Sequence, residues 1–213
     1  MLKTTIIFDL DGVITDTVNY HYMAWKQLAD ELEIPFDREI NESLKGIDRM
    51  TSLEIILSKA DKPFTAEEKH KLAQAKNERY VSLIQTMTRA DISPGAGALL
   101  DDCRRLKLKV ALASASHNAN TVLARLGITE LFDYVVDAAT VTHGKPDPEI
   151  FLQAATGTGS EPVECIGIED AAAGVSAIKA AGMFAIGVGE PGILGEADIV
   201  VAGLNDLSIQ SYL

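Results

Sequence analysis

From about residue 90 onward, short runs rich in β-branched residues alternate with stretches of helical periodicity. The runs are KVALA at 109–113, YVVDA at 134–138, ECIGI at 164–168, FAIGV at 184–188 and DIVV at 198–201, and TTIIF at 4–8 has the same character. Their length and apolar content predict buried strands. Between them, HNANTVLARLG at 117–127, DPEIFLQAA at 147–155 and AAAGVSAIKAAG at 171–182 carry apolar residues at helical spacing, with Gly127 and Gly182 where a helix C-cap glycine belongs. Strand alternating with helix predicts an α/β fold, a doubly wound parallel sheet with crossover helices.

Residues 16–87 break that rhythm. Four helical stretches follow one another without a convincing strand between them. Asp37 and Asp48 stand where N-caps belong, and Thr65-Ala-Glu-Glu68 has the pattern of a capping box before the longest helix. Pro94 and Gly95 then punctuate the return to the α/β pattern. The expected organisation is a catalytic core of residues 1–15 and 88–213 interrupted by a helical domain at 16–87.

The length, 213 residues, suffices for such a core with an insertion, and a chain 47% hydrophobic and 23% charged is expected to be ordered nearly throughout. A net charge of −12 repels nucleic acid and anionic membrane surfaces, so a small phosphate ester would need local cations and a metal to offset the field. The only cysteines, Cys103 and Cys165, lack the number and spacing for a disulfide framework or a metal site, which fits a reducing cytoplasm. The start of the chain has too short an apolar run for a signal peptide or membrane anchor.

The first predicted strand runs directly into Asp9-Leu10-Asp11-Gly12-Val13. Carboxylates two residues apart leave a strand's carboxyl end on the same side, where open α/β sheets bind ligands. One carboxylate can attack phosphorus to give an acyl phosphate, a role Asp9 is placed for. The other, Asp11, can act as general acid and base if neighbouring acids raise its pKa. A bare pair of this kind also fits two solvated acids in a turn. Glu169-Asp170 ends another strand; with Asp9, Asp170 would supply the oxygen ligands magnesium favours, although it also suits the N-cap of the next helix. Ser114 after KVALA and Lys145 in HGKPDP could hold and neutralise a transferring phosphoryl group, or serve as a turn cap and a solvated loop residue.

Taken in order, Asp9-x-Asp11, Ser114, Lys145 and Glu169-Asp170 resemble the motifs of the haloacid dehalogenase superfamily, and the helical insert resembles its mobile cap. The resemblance runs the whole chain. It is strongest with the sugar phosphomutases, through FDLDGVITDT at 8–17, His21, Trp25, LKGIDR at 44–49, ALASAS at 111–116, KP at 145–146 and GIEDAAAG at 167–174. His117 stands where a lysine is expected, and the loop near residues 35–36 looks shortened.

The resemblance implies interconversion of β-D-glucose 1-phosphate and β-D-glucose 6-phosphate through an enzyme-bound 1,6-bisphosphate, by a monomer. It implies that magnesium is bound by Asp9, Asp170 and the Asp11 carbonyl with support from Glu169, and that Ser114, Ala115 and Lys145 hold the transferring phosphate. Thr17 and His21 would position Asp11 and the sugar hydroxyl; Arg49, Ser116 and Asn118 would hold the distal phosphate. Lys45, Gly46, Ser52 and Lys76 would shape the sugar pocket, with Trp25 as its lid or as part of the helical core. His21 could equally cover an apolar face, His70 is expected at the surface, and His143 is open. A phosphatase on the same fold would share every core motif, whereas a phospho-receiver domain would need neither the helical insert nor Asp11.

Overall fold

The computed structural model describes residues 2–45 and 47–213. Six parallel strands, β1 (Thr5–Phe8), β2 (Lys109–Leu112), β3 (Tyr134–Val135), β4 (Cys165–Glu169), β5 (Phe184–Val188) and β6 (Ile199–Val201), form one sheet in the order β3-β2-β1-β4-β5-β6. Thr5 pairs with Lys109 on one side and with Cys165 on the other. The order therefore reverses at β1, and the crevice beyond its carboxyl end is the topological switch point of a doubly wound sheet.

Period-two alternation sends the apolar side chains of β1 to both faces. Ile6 and Phe8 join the cluster packed under α5 (Ala96–Arg105) and α6 (Ala119–Leu126). Ile7 joins the cluster under α7 (Glu149–Thr158) and α8 (Ala172–Ala180). All three are fully buried, and burial of such a side chain contributes roughly 1.5–3 kcal/mol. Rigid anchoring of β1 from both faces fixes where the residues after it emerge.

The strands sit within a residue or two of their sequence expectation except β3, which covers only two of the five residues of YVVDA. Its early end has a local cause: the Asp137 side chain accepts from Ala139 N and turns the chain out of the sheet into a 3₁₀ turn. Gly127 and Gly182 lie just past α6 and α8 with φ of +65° and +75°.

Between β1 and α5 lie α1 (Val18–Glu31), α2 (Arg38–Glu42), α3 (Arg49–Leu57) and α4 (Ala66–Ile84). Asp37 accepts from Ile40 N, Asp48 from Met50 N and Thr51 N, and Thr65 with Glu68 closes the capping box. These helices enclose an apolar cluster of their own, including Trp25, Leu28, Phe36, Leu53, Ile56 and Ala73. Lower on α1 and α4, Ala24, Tyr80 and Ile84 pack instead into the core cluster of the sheet. No helix among the described residues is long and apolar enough to cross a membrane.

Candidate active site

The end of β1 is pinned before the functional residues begin. Asp9 N donates to Ile168 O at 2.9 Å and Ala113 N to Phe8 O at 2.8 Å, so Asp9 leaves the sheet from a backbone tied on both sides. Its side chain is buried, and Oδ1 accepts from Lys145 Nζ at 2.5 Å. Lys145 also donates to Glu169 Oε2 at 2.8 Å, while Glu169 Oε1 accepts from Ala171 N at 3.2 Å. Glu169 is thus a brace between the lysine and the start of α8. The bond from Lys145 to Pro146 is cis. Against the burial that lowers its pKa, Asp9 and Glu169 raise that of Lys145 above the ordinary lysine value and hold it charged.

Two glycines let the carboxylates close up. Gly12 has φ +88°, and a Cβ there would lie 2.1 Å from Asp170 Oδ2; a Cβ on Gly174 would lie 2.1 Å from the Glu169 carboxyl carbon. A side chain at either would displace an acid of the cluster. α8 begins after Ala171 without a side-chain cap, so Asp170 is left facing the site and is not the helix cap that its position also suited.

Crowding changes the acids. Asp11, half-open to the cavity, is pushed up to about 8, first by burial and then by Asp9 and Asp170. Glu169 rises to about 8 through burial and Asp9. Asp170 rises to about 7 through burial and Asp9, opposed by Lys45 and Lys145. Oxygens of Asp9, Glu169 and Asp170 lie within 4.8 Å of one another. Three hard carboxylate donors with excess negative charge in a buried site fit a divalent cation such as magnesium. A second group, His143, Asp147 and Glu149, is a weaker match: it lies near the surface and Glu149 already accepts from Thr142 N and His143 N.

Thr17 donates to Asp11 Oδ1. Among the described residues no hydrogen bond joins His21 to Asp11; its Nδ1 lies 2.8 Å from Lys76 Nζ and its ring lies against Tyr80 with centroids 4.1 Å apart. Burial, then Lys76 and Arg49, hold the imidazole well below its ordinary pKa and keep it neutral. Lys76 is buried on α4, with Nζ 4.6 Å from the Trp25 ring centroid and 5.0 Å from that of Tyr80. Burial and Arg49 lower its pKa to about 7.

One cavity lies between the sheet end and the four helices. Asp11 opens onto it from the sheet side; His21, Trp25, Lys45, Arg49, Ser52 and Lys76 line it from the helices, and Ala115, Ser116 and Asn118 from the loop after β2. Lys45 bonds Glu42 at 2.7 Å and comes within 3.7 Å of Asp170, bridging helical insert and core. Trp25 is both a wall of the cavity and part of the insert's apolar cluster. Asp9, Ser114 and Lys145 lie behind Asp11, and Ser114 Oγ accepts from Ser116 N at 3.1 Å. Gly46 lies outside the described residues. His70 and His143 are exposed.

The cavity also contains Asn41, Asn77 and Tyr80, which sequence reasoning missed. Tyr80 follows Lys76 by one helical turn on α4, a spacing that could have found it. Asn41 and Asn77 carry no such signal.

A family model of haloacid dehalogenase-like hydrolases matches residues 3–182. The chain belongs to the haloacid dehalogenase-like hydrolase family. Within this family it is 49% identical to a β-phosphoglucomutase of Bacillus subtilis over 96% of this chain and 92% of that one. It is 34% identical to the fructose-1-phosphate phosphatase YqaB of Escherichia coli, over 86% of this chain and 95% of the relative. A crystal structure of β-phosphoglucomutase from Clostridium difficile superposes with a TM-score of 0.95 at 49% identity, covering 100% of this chain and 96% of that one.

Proposed function

We propose that this haloacid dehalogenase-family chain is a phosphomutase that interconverts β-D-glucose 1-phosphate and β-D-glucose 6-phosphate, with Asp9 carrying the phosphoryl group and Asp11 moving the proton. The observation that carries the reading is a pair of aspartates at the switch point beneath a cavity whose opposite wall holds Arg49 and Lys76. That layout has a place for chemistry and a separate place to grip a second anion. The 49% identity with the Bacillus subtilis mutase, against 34% with the Escherichia coli phosphatase, supports the same choice.

In the phosphorylated enzyme, the 6-oxygen of β-glucose 1-phosphate attacks the phosphorus on Asp9 as Asp11 takes the hydroxyl proton. The bond from phosphorus to the Asp9 oxygen breaks and the 1,6-bisphosphate forms. The bisphosphate then turns over. An Asp9 oxygen attacks the phosphorus at position 1, the bond to the sugar oxygen breaks, and Asp11 returns its proton to that oxygen, releasing glucose 6-phosphate. A carboxyl raised to about 8 is suited to hold the proton between the two halves.

Lys145, Ser114 and Ala115 hold the transferring phosphate, and Glu169 keeps Lys145 in place. Thr17 orients Asp11; His21 acts on the sugar side through Lys76. Arg49, Ser116 and Asn118 grip the distal phosphate, while Lys45, Ser52, Lys76 and Trp25 surround the sugar. Residues 16–87 act as a cap over a core of 1–15 and 88–213, excluding water when closed. Magnesium would be held by Asp9, Asp170 and the Asp11 carbonyl with help from Glu169, and when bound would offset the charge of the phosphoryl group.

The test is a coupled assay with β- and α-glucose 1-phosphate, magnesium and a trace of bisphosphate, following glucose 6-phosphate and inorganic phosphate together. Glucose 6-phosphate should appear from the β anomer with little free phosphate. Stoichiometric phosphate release without glucose 6-phosphate would make the chain a phosphatase.

A further inference from the structure

Asn118 breaks a local rule. It occupies the N-cap of α6, where an asparagine side chain ordinarily accepts a hydrogen bond from the helix's first turn and contributes about 1 kcal/mol. Here the side chain makes no capping bond. Its Nδ2 instead donates to Asn77 Oδ1 at 2.7 Å, across the boundary between the sheet's loop and α4. Both amides line the cavity, beside Arg49 and Ser116. Ser116 Oγ accepts from Asn118 N at 3.3 Å, which fixes the backbone from which the amide projects.

We infer that Asn77 is a positioning residue for the distal phosphate, holding the Asn118 carboxamide out of its helix cap and in the cavity wall. The inference rests on the mutase reading, in which that phosphate must stay bound while the sugar turns over.

Three features point the same way. The Asn77 oxygen takes up one N–H of the Asn118 amide and so fixes how that amide is turned in the cavity wall. Asn118 keeps one of its two N–H groups for a ligand. The bond also joins residue 77 of the helical insert to residue 118 of the core, so the geometry it sets exists only when the two approach. Without Asn77, the Asn118 side chain is free to return to its helix cap and is lost to the cavity. Asn77 follows directly on Lys76 in α4, so the stretch of helix that places a cation in the cavity also anchors the Asn118 amide there.

The test is a double-mutant cycle with Asn77→Ala, Asn118→Ala and the pair, each with Asp9→Asn so that bound bisphosphate is not consumed. Calorimetry with β-glucose 1,6-bisphosphate and magnesium gives Kd, and melting curves report the fold. Asn77→Ala should weaken bisphosphate binding by about tenfold with little change in Tm, because Asn118 gains its cap. The double variant should bind within about twofold of Asn118→Ala alone, since Asn77 acts through Asn118. Multiplied single effects, or an Asn77→Ala that binds within twofold of its parent, would overturn the inference. Phosphorylation of Asp9 by acetyl phosphate and mutase turnover, measured with Asp9 intact, test the mutase reading separately. Both should persist in wild type whatever the cycle shows.

Discussion

The two walls of the cavity are strained electrostatically in opposite senses. On the sheet side, four carboxyl groups crowd around Lys145, and Asp11, Glu169 and Asp170 are pushed up to about 8, 8 and 7. On the helical side, Lys76 is buried near the half-buried Arg49, and burial followed by the charge of Arg49 lowers Lys76 to about 7, while partial burial alone lowers Arg49. Each wall by itself is a poor design for stability, because desolvated like charges oppose folding. A cation relieves the first and an anion the second. The magnesium ion and sugar bisphosphate of the proposed reaction, placed between them, would relieve both.

The largest effect is expected at the sheet-side wall, from replacing the acid proposed as nucleophile. Asp9→Asn should lower mutase and phosphatase turnover by more than about 10⁴-fold, since an amide cannot form the acyl phosphate. The fold should survive. Turnover within tenfold of wild type would end the assignment of Asp9 as nucleophile.

Asp11→Asn tests the same wall one step further from the phosphorus. Transfer to the sugar hydroxyl should slow by about 100- to 10,000-fold, the range for general acid and base work, while magnesium affinity changes far less. Equal losses in rate and in magnesium affinity would make Asp11 a ligand rather than a proton carrier.

Arg49→Ala addresses the opposite wall. Charged hydrogen bonds of about 1.5–3 kcal/mol are at stake, so retention of the bisphosphate should weaken roughly ten- to hundredfold. The share of phosphoryl groups lost to water should rise, while phosphorylation of Asp9 by acetyl phosphate stays near wild type. An unchanged partition between glucose 6-phosphate and free phosphate would return Arg49 to the role of a surface residue in the first turn of α3.

The two walls also differ in how legible they are in the sequence. Asp9 and Asp170 directly follow strands, Glu169 ends β4 and Ser114 lies two residues past β2, so a correct strand assignment already places them at one edge of the sheet. Lys145 is harder, sitting in a loop with only its proline and its order in the chain to mark it. The helical wall depends on how four helices pack, which local periodicity does not encode. The caps at Asp37, Asp48 and Thr65 found the helices, yet His21 turned toward Lys76 rather than Asp11. Asn77 and Asn118, 41 residues apart, meet only through the tertiary fold.

The smallest expected effect concerns Lys76 and stability rather than rate. Its pKa falls from 10.5 to about 7 on folding, so below pH 7 the folded and unfolded states both carry the proton and the full cost of burying the charge is felt. Between pH 7 and 10.5 the unfolded chain binds more protons than the folded one, and stability rises with pH as that cost is lost. Lys76→Met removes the cost where it exists. It also leaves His21 Nδ1 without its partner, but the neutral imidazole makes that penalty insensitive to pH above 7. The gain of the variant over wild type should therefore be greater at pH 7.5 than at pH 9.5, by on the order of 2–3 kcal/mol. Denaturant melts of both proteins at the two pH values, without sugar phosphate, measure the difference directly. A gain independent of pH would mean that Lys76 keeps its proton at its ordinary pKa, and the helical wall would then lack the strain that makes it complementary to phosphate.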